Sequence, residues 1–291
     1  DMKTIQAIGA EGSFSRRNID KTVADFEKLN GIPVSLDNER GVNAYIECVF
    51  TGMLLMILAL IVVMILLEER KKGLWQFVYS MPMGRNQLAM KRAGILCLAV
   101  TVGGILFEAE NLYIIGQRYG GFGDLSRMVQ SNPAFSGCVL PMKMGTFLAL
   151  VVAMKILVCA FFGCMLWMAA SSLKSHTAAF ASIAVVLGAE YYAYTEISVQ
   201  SSMNRWKFLN LFAFLDSGHV LTSYQNLNLF GYPIGAHTVL LYGIPVLLLL
   251  AVGCVTLLGR RRPFAQKDGL FIKLLERISY LVKPYRHNCH L

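Results

Sequence analysis

Long apolar runs alternate with short charged ones along this chain, and the runs are too long for β-strands. Val49–Leu67 holds 19 residues without a charge, which as helix covers about 28 Å, close to the ~30 Å hydrocarbon core of a bilayer. Val239–Leu258 is a second charge-free run. Thr146–Ala170 carries one charge, Lys155, and Thr177–Ile197 carries Glu190 with Glu196 at its end. Ala93–Gly116 is apolar until Glu108 and Glu110. Backbone polar groups in hydrocarbon must be satisfied within their own segment, so runs of this length are helices. The pattern predicts an all-α polytopic membrane protein with about five spans, near 44–67, 93–116, 146–170, 177–197 and 237–259. A partial extracytoplasmic segment at 1–43 precedes this transmembrane domain of 44–262, and a basic tail follows at 263–291.

The flanks predict further helices. Ile19, Val23, Phe26 and Leu29 recur at helical spacing before Asn30-Gly31 and Pro33, a stop signal. Trp206–Leu215 is too short to span and suits an interfacial or re-entrant helix. Leu270, Ile272, Leu274, Leu275, Ile278 and Leu281 give the tail an apolar face amid basic residues, as in helices that lie on the cytoplasmic leaflet.

Composition agrees with this assignment. Charged residues make up 15% of the 291 and mean hydropathy is +0.52, whereas a soluble domain carries about a quarter charged residues. The net charge of +9 is informative through its placement. Segment 68–92 holds Arg70, Lys71, Lys72, Arg85, Lys91 and Arg92, and 260–291 holds eight more cations, whereas 198–236 has only Arg205 and Lys207. Short Lys/Arg-rich loops stay cytoplasmic. That puts 68–92 and the tail inside, with 117–145 and 198–236 outside, and it removes any need for a nucleic-acid partner. The seven cysteines form no C-x-x-C, and His287, Cys289 and His290 sit in a chain-end segment, so no metal site is expected.

Segment 68–92 reads "EERKKGLWQFVYSMPMGRNQLAMKR". Leu74, Phe77 and Met81 share one face of about two helical turns, with Gly73 before them and Pro82 after them. So short a helix is unstable alone in water, and a partner must cover its apolar face. Glu69 and Arg70 directly after a span, then Gly73, the apolar patch, Pro82, Arg85 and Lys91, resemble the first cytoplasmic loop of ATP-binding-cassette (ABC) type-2 permeases. The external segment, the span before this loop, the spans after it and the short outer helix ahead of the last span are similar too. The resemblance covers roughly 44–262. It implies that Glu69, Arg70, Gly73, Leu74, Phe77, Met81, Pro82 and Arg85 form a coupling helix docked on a partner ABC ATPase. It also implies a second permease copy or half, a cell-membrane location, a first span upstream of Asp1 and an exporter function. The chain has no G-x-x-x-x-G-K-[ST], so it would hold no cofactor and the partner would bind the ATP.

Charges inside the predicted spans include Lys155, Glu190, Glu108 and, beside it, Glu110. A charge at the bilayer midplane is costly and usually faces the bundle interior. Lys155 can pair with Glu108 or with Glu190, which would fix helix register or line a polar path. An ion-coupled transporter using Lys155 and Glu190 is the alternative to the exporter. An intramembrane enzyme is disfavoured, because H-E-x-x-H and G-x-S-x-G are absent.

Overall fold

A computed structural model describes residues 14–71, 84–172, 176–198 and 203–261. The described chain is mostly helical, and four of its helices are long and apolar enough to cross a membrane: Arg40–Leu66, Gln87–Tyr119, Met144–Ala170 and Ala236–Leu257. The elements in order are α1 (Phe14–Glu27), α2 (Arg40–Glu47), α3 (Phe50–Lys71), α4 (Gly84–Tyr119), α5 (Met144–Ser172), α6 (His176–Glu196), α7 (Asn204–Phe208), α8 (Leu211–Leu215) and α9 (Ser217–Thr222). A hairpin of β1 (Asn226–Leu229) and β2 (Tyr232–Gly235) follows, then α10 (Ile244–Arg261).

The bundle is organised around α5, which packs against α3, α4 and α10. Apart from Lys155 it is apolar nearly all round, as suits the most deeply buried helix of the bundle. In its most apolar window 67% of the residues are buried, against at most 33% in the other three candidate spans. Those three bury one face on α5 and turn Ile57, Ile61, Leu98, Leu106, Leu249 and similar residues outward. Apolar exposure on this scale is expected of surfaces that meet lipid and is unusual on a soluble monomer. Helix α6 packs on α5 and α8 and leaves Val185 and Tyr192 exposed.

Two helices depart from regularity for identifiable reasons. Pro245 has no N–H to give the preceding turn and its ring crowds the carbonyl four residues back. A π segment, Val239–Gly243, absorbs that mismatch before α10 begins. The second departure lies between α2 and α3, where Cys48 is extended (φ −83°, ψ 92°). No proline marks this break.

One end of the bundle carries a folded cap. Helix α4 stops at Gly120 (φ +76°), and the Gly121 amide donates back to the Gly116 carbonyl, at 2.8 Å, a Schellman-type ending. Helix α1 docks on the hairpin, where Asn226 Nδ2 donates to Asn18 Oδ1 at 2.8 Å and Phe26 meets Tyr224 edge-on at 5.1 Å. Hairpin register pairs Leu229 with Tyr232, leaving Phe230 and Gly231 (φ 54° and 86°) as the two loop residues. Positive φ at both positions is the geometry of a type I′ turn.

Segment 203–223 is neither a plain loop nor one helix. It breaks at Asn210, whose Oδ1 accepts from the Ala213 amide at 2.7 Å, and again at Asp216. Its pieces press into the bundle. Leu215 lies against Gly52, where an added Cβ would sit 2.7 Å from the leucine side chain, and Ser217 Oγ donates to the Val151 carbonyl at 3.4 Å. Met144 starts α5, so Val151 lies about 10 Å along that helix. The segment re-enters the bundle rather than lying across its top.

Candidate functional site: a buried ion pair at a helix break

The break between α2 and α3 is where the charges inside the bundle meet. In the turn at Cys48, the Gly52 amide bonds to Val49 O rather than to Cys48 O, and the Cys48 carbonyl is left for another donor. Lys155 Nζ supplies it from α5, at 3.4 Å. A freed carbonyl inside a span needs such a partner, since water is not there to provide one.

Lys155 is itself paired. Its Nζ lies 3.4 Å from Glu108 Oε1 on α4, with the two side chains 3% and 1% exposed. Thr51, in the first turn of α3, donates to Glu108 Oε1 at 2.6 Å, and the Tyr45 hydroxyl, from α2, donates to Oε2 at 2.6 Å. Lys155 Nζ also stands 3.5 Å from Thr51 Oγ1 and 4.7 Å from the centre of the Tyr45 ring. Three donors thus converge on one carboxylate, and the ammonium finds a carboxylate, a carbonyl, a hydroxyl and an aromatic face. Charges this deep persist only when so surrounded. The cluster ties four elements together and lies about 16 Å along α5 from its start, near mid-span.

The surroundings are polar in a small way. Cys48 Sγ contacts Asn111 Oδ1 at 3.7 Å, one turn along α4 from Glu108, and Asn111 Nδ2 is buried with no hydrogen-bond partner among the described residues. Cys159 Sγ, one turn beyond Lys155, contacts Gly52 O at 3.7 Å.

Of the two pairings open from the sequence, the structure forms Lys155–Glu108. Glu190 is elsewhere. It sits on α6, and its Oε2 accepts from the Leu211 amide at the start of α8, at 3.2 Å. Tyr45, Thr51 and the Cys48 carbonyl were not anticipated. The first two look like ordinary residues of a span, and only the break makes them converge. The eight residues assigned to coupling are not assembled into a described site. Glu69 and Arg70 fall in the last helical turns of α3 and Arg85 in the first of α4, while Gly73, Leu74, Phe77, Met81 and Pro82 lie outside the described residues, as does the basic tail.

A second polar group closes the re-entrant segment. Asp216 is buried, accepts from the Tyr194 hydroxyl and lies 2.8 Å from His219 Nδ1. That hydrogen bond to Asp216 raises the His219 pKa above the usual histidine value, against the opposing effect of partial burial. Lys207 Nζ donates to the carbonyls of Tyr194 and Ile197, at 2.9 and 3.0 Å, capping the C-terminal end of α6, where a cation also complements the helix dipole.

Comparison of the chain with protein-family models, curated proteins and solved structures finds no match.

Proposed function

We propose that this chain is the membrane-spanning subunit of an ATP-driven exporter of the ABC type. The observation that carries the reading is segment 68–92, with its Glu-Arg, Gly, apolar patch, Pro and Arg set between two apolar runs. Its flanks support the reading. Helices α3 and α4, which lead into and out of the segment, are both candidate spans, and the broken segment 203–223 precedes the last one. With α6 as a fifth span, the two Lys/Arg-rich segments fall on the cytoplasmic side. Partner ATPase, second permease copy and cell-membrane location all belong to this proposal.

The mechanism follows from where the helices lead. ATP binding and hydrolysis in the partner would move the 74–81 knob. Leu74, Phe77 and Met81 would fill the partner's groove, with Glu69, Arg70, Gly73, Pro82 and Arg85 shaping the element around them. Motion enters α3 and α4 together, because they flank the segment. Thr51 lies on α3 and Glu108 on α4, so both helices end their lever arms on the Lys155 cluster. Held to α5 there, they can rock about that point while the α2–α3 break takes up the change in direction. The substrate path would open and close between two such bundles.

A second reading has one observation behind it, the buried Glu108–Lys155 pair itself. In an ion-coupled transporter that pair would take part in the coupling, with Glu108 in place of Glu190. Transport would then collapse with the proton gradient and need no ATPase.

Introducing Phe77→Asp together with Met81→Asp tests the exporter. The variant should insert normally and lose ATP-dependent transport and stimulation of the partner's hydrolysis. Transport at the unmodified rate would remove the coupling assignment.

A further inference from the structure

A cleft of about 430 Å³ lies between α5, α6, α8 and α10. Phe161 and Leu166 of α5, Ile183 and Leu187 of α6, Leu211 of α8 and Leu247 of α10 make its walls apolar. Ser182 and Glu190, at two ends of the same helix face, are eight residues apart, so the wall they define is about 12 Å long. This size lies within the range of small-molecule sites.

Among the described residues, Glu190 is the one charged group lining the cleft, and it receives one hydrogen bond, from the Leu211 amide to Oε2. Among the described residues no basic side chain pairs with it. Lys155 is held by Glu108, and Lys207 by the carbonyls at the end of α6. The Asn210 amide, also in the lining, is occupied on both sides, by the Trp206 carbonyl and the Ala213 amide. A carboxylate in an apolar environment is costly unless something positive meets it, and Glu108, with three donors, shows how this same bundle supplies partners where it uses a carboxylate structurally. We infer that the cleft is a binding site for an amphiphilic organic cation, its apolar body along α5 and α6 and its positive centre against Glu190. Binding stands apart from the exporter reading, although naming this ligand as transported cargo rests on it. The ammonium could belong to a free hydrophobic amine or to a lipid headgroup, which share this chemistry.

Binding of radiolabelled tetraphenylphosphonium to the chain in phosphatidylglycerol nanodiscs, corrected for empty nanodiscs, tests the site without any ATPase. Saturable binding near one per chain is expected. Glu190→Gln keeps the acceptor for the Leu211 amide and removes only the charge, and it should weaken binding about ten- to hundredfold, the worth of a desolvated charge interaction. Ile183→Trp should block the cleft with Glu190 intact, and Glu196→Gln should leave binding unchanged. Neutral triphenylphosphine oxide should bind weakly and ignore Glu190→Gln. Phosphatidylethanolamine in the nanodisc should compete if a lipid ammonium is the occupant and be silent if a free amine is. Absence of saturable binding to the unmodified chain, or binding by Glu190→Gln within twofold of it, overturns the assignment. Either failure leaves the exporter reading to its own test at Phe77 and Met81.

Discussion

Replacing Lys155 with methionine keeps most of the side chain's volume and leaves Glu108 buried without its cation. Both side chains are at most 3% exposed, so solvent does not screen the loss as it would for an exposed pair. Breaking a buried pair from one side costs about 3–5 kcal/mol. Glu108 keeps Tyr45 and Thr51, polar contacts of a kind worth about 0.6–1.7 kcal/mol each in a membrane bundle, which places Lys155→Met near the lower end, at about 3 kcal/mol. Glu108→Gln leaves Lys155 with the Cys48 carbonyl, the Thr51 hydroxyl and the Tyr45 ring, so it should cost less, about 2 kcal/mol. The double variant removes both charges and should cost no more than about 3 kcal/mol, giving a coupling of about 2 kcal/mol. Unfolding by dodecyl sulfate in mixed micelles, followed by far-ultraviolet circular dichroism, yields all three values. If the single effects add to within about 0.5 kcal/mol, the two groups do not interact and the cluster is misassigned.

Three smaller tests address the framework around it. Tyr45→Phe removes one hydroxyl donor from Glu108, and the same titration should show a loss of about 1–2 kcal/mol, less than for Lys155→Met. At Gly41 an added Cβ would fall on the Gly121 carbonyl oxygen, inside contact distance. Because that obstacle is backbone, Gly41→Ala should destabilise by about 1–3 kcal/mol, readable as a lower midpoint. In the cap, burial works to raise the Asp25 pKa, but hydrogen bonds and attraction from Lys21 and Lys28 outweigh it and hold the group below the usual aspartate value. A depressed carboxylate stabilises the folded state above its unfolded pKa, near 3.9, and that stability is lost as pH falls through the lower folded value. Protease cleavage within α1 should therefore be slow at pH 6 and rise below about pH 4, whereas Asp25→Asn should cleave readily at both.

Apolar run length and charge spacing revealed the helices, because a bilayer-length apolar segment has few other ways to satisfy its backbone. The same signal missed the break at Cys48. That turn has no proline, and it is held by a lysine 107 residues away, information no local window contains. The choice between Glu108 and Glu190 as the partner of Lys155 was open for a related reason. Both carboxylates lie within the predicted spans, and only the packing of α4 on α5 separates them. The π segment had a visible cause in Pro245. The hairpin had a weaker one: Asn226–Leu229 alternates and Gly231 follows, but Phe230 is an unusual residue for a left-handed turn position. The re-entrant course of 203–223 was one of two paths its length allowed, and its depth is set by the close approach of Leu215 to Gly52, a contact between distant parts of the chain.

The exporter account rests on a partner the chain itself does not contain, and purification tests that directly. The full-length protein, extracted from its own membrane in mild detergent, should bring down one protein in fixed stoichiometry that carries a G-x-x-x-x-G-K-[ST] sequence, identified by mass spectrometry. That association should weaken when Phe77 and Met81 are changed to Asp. An intact complex that reproducibly lacks such a protein would contradict the account and turn attention to the buried Glu108–Lys155 pair in an ion-coupled transporter.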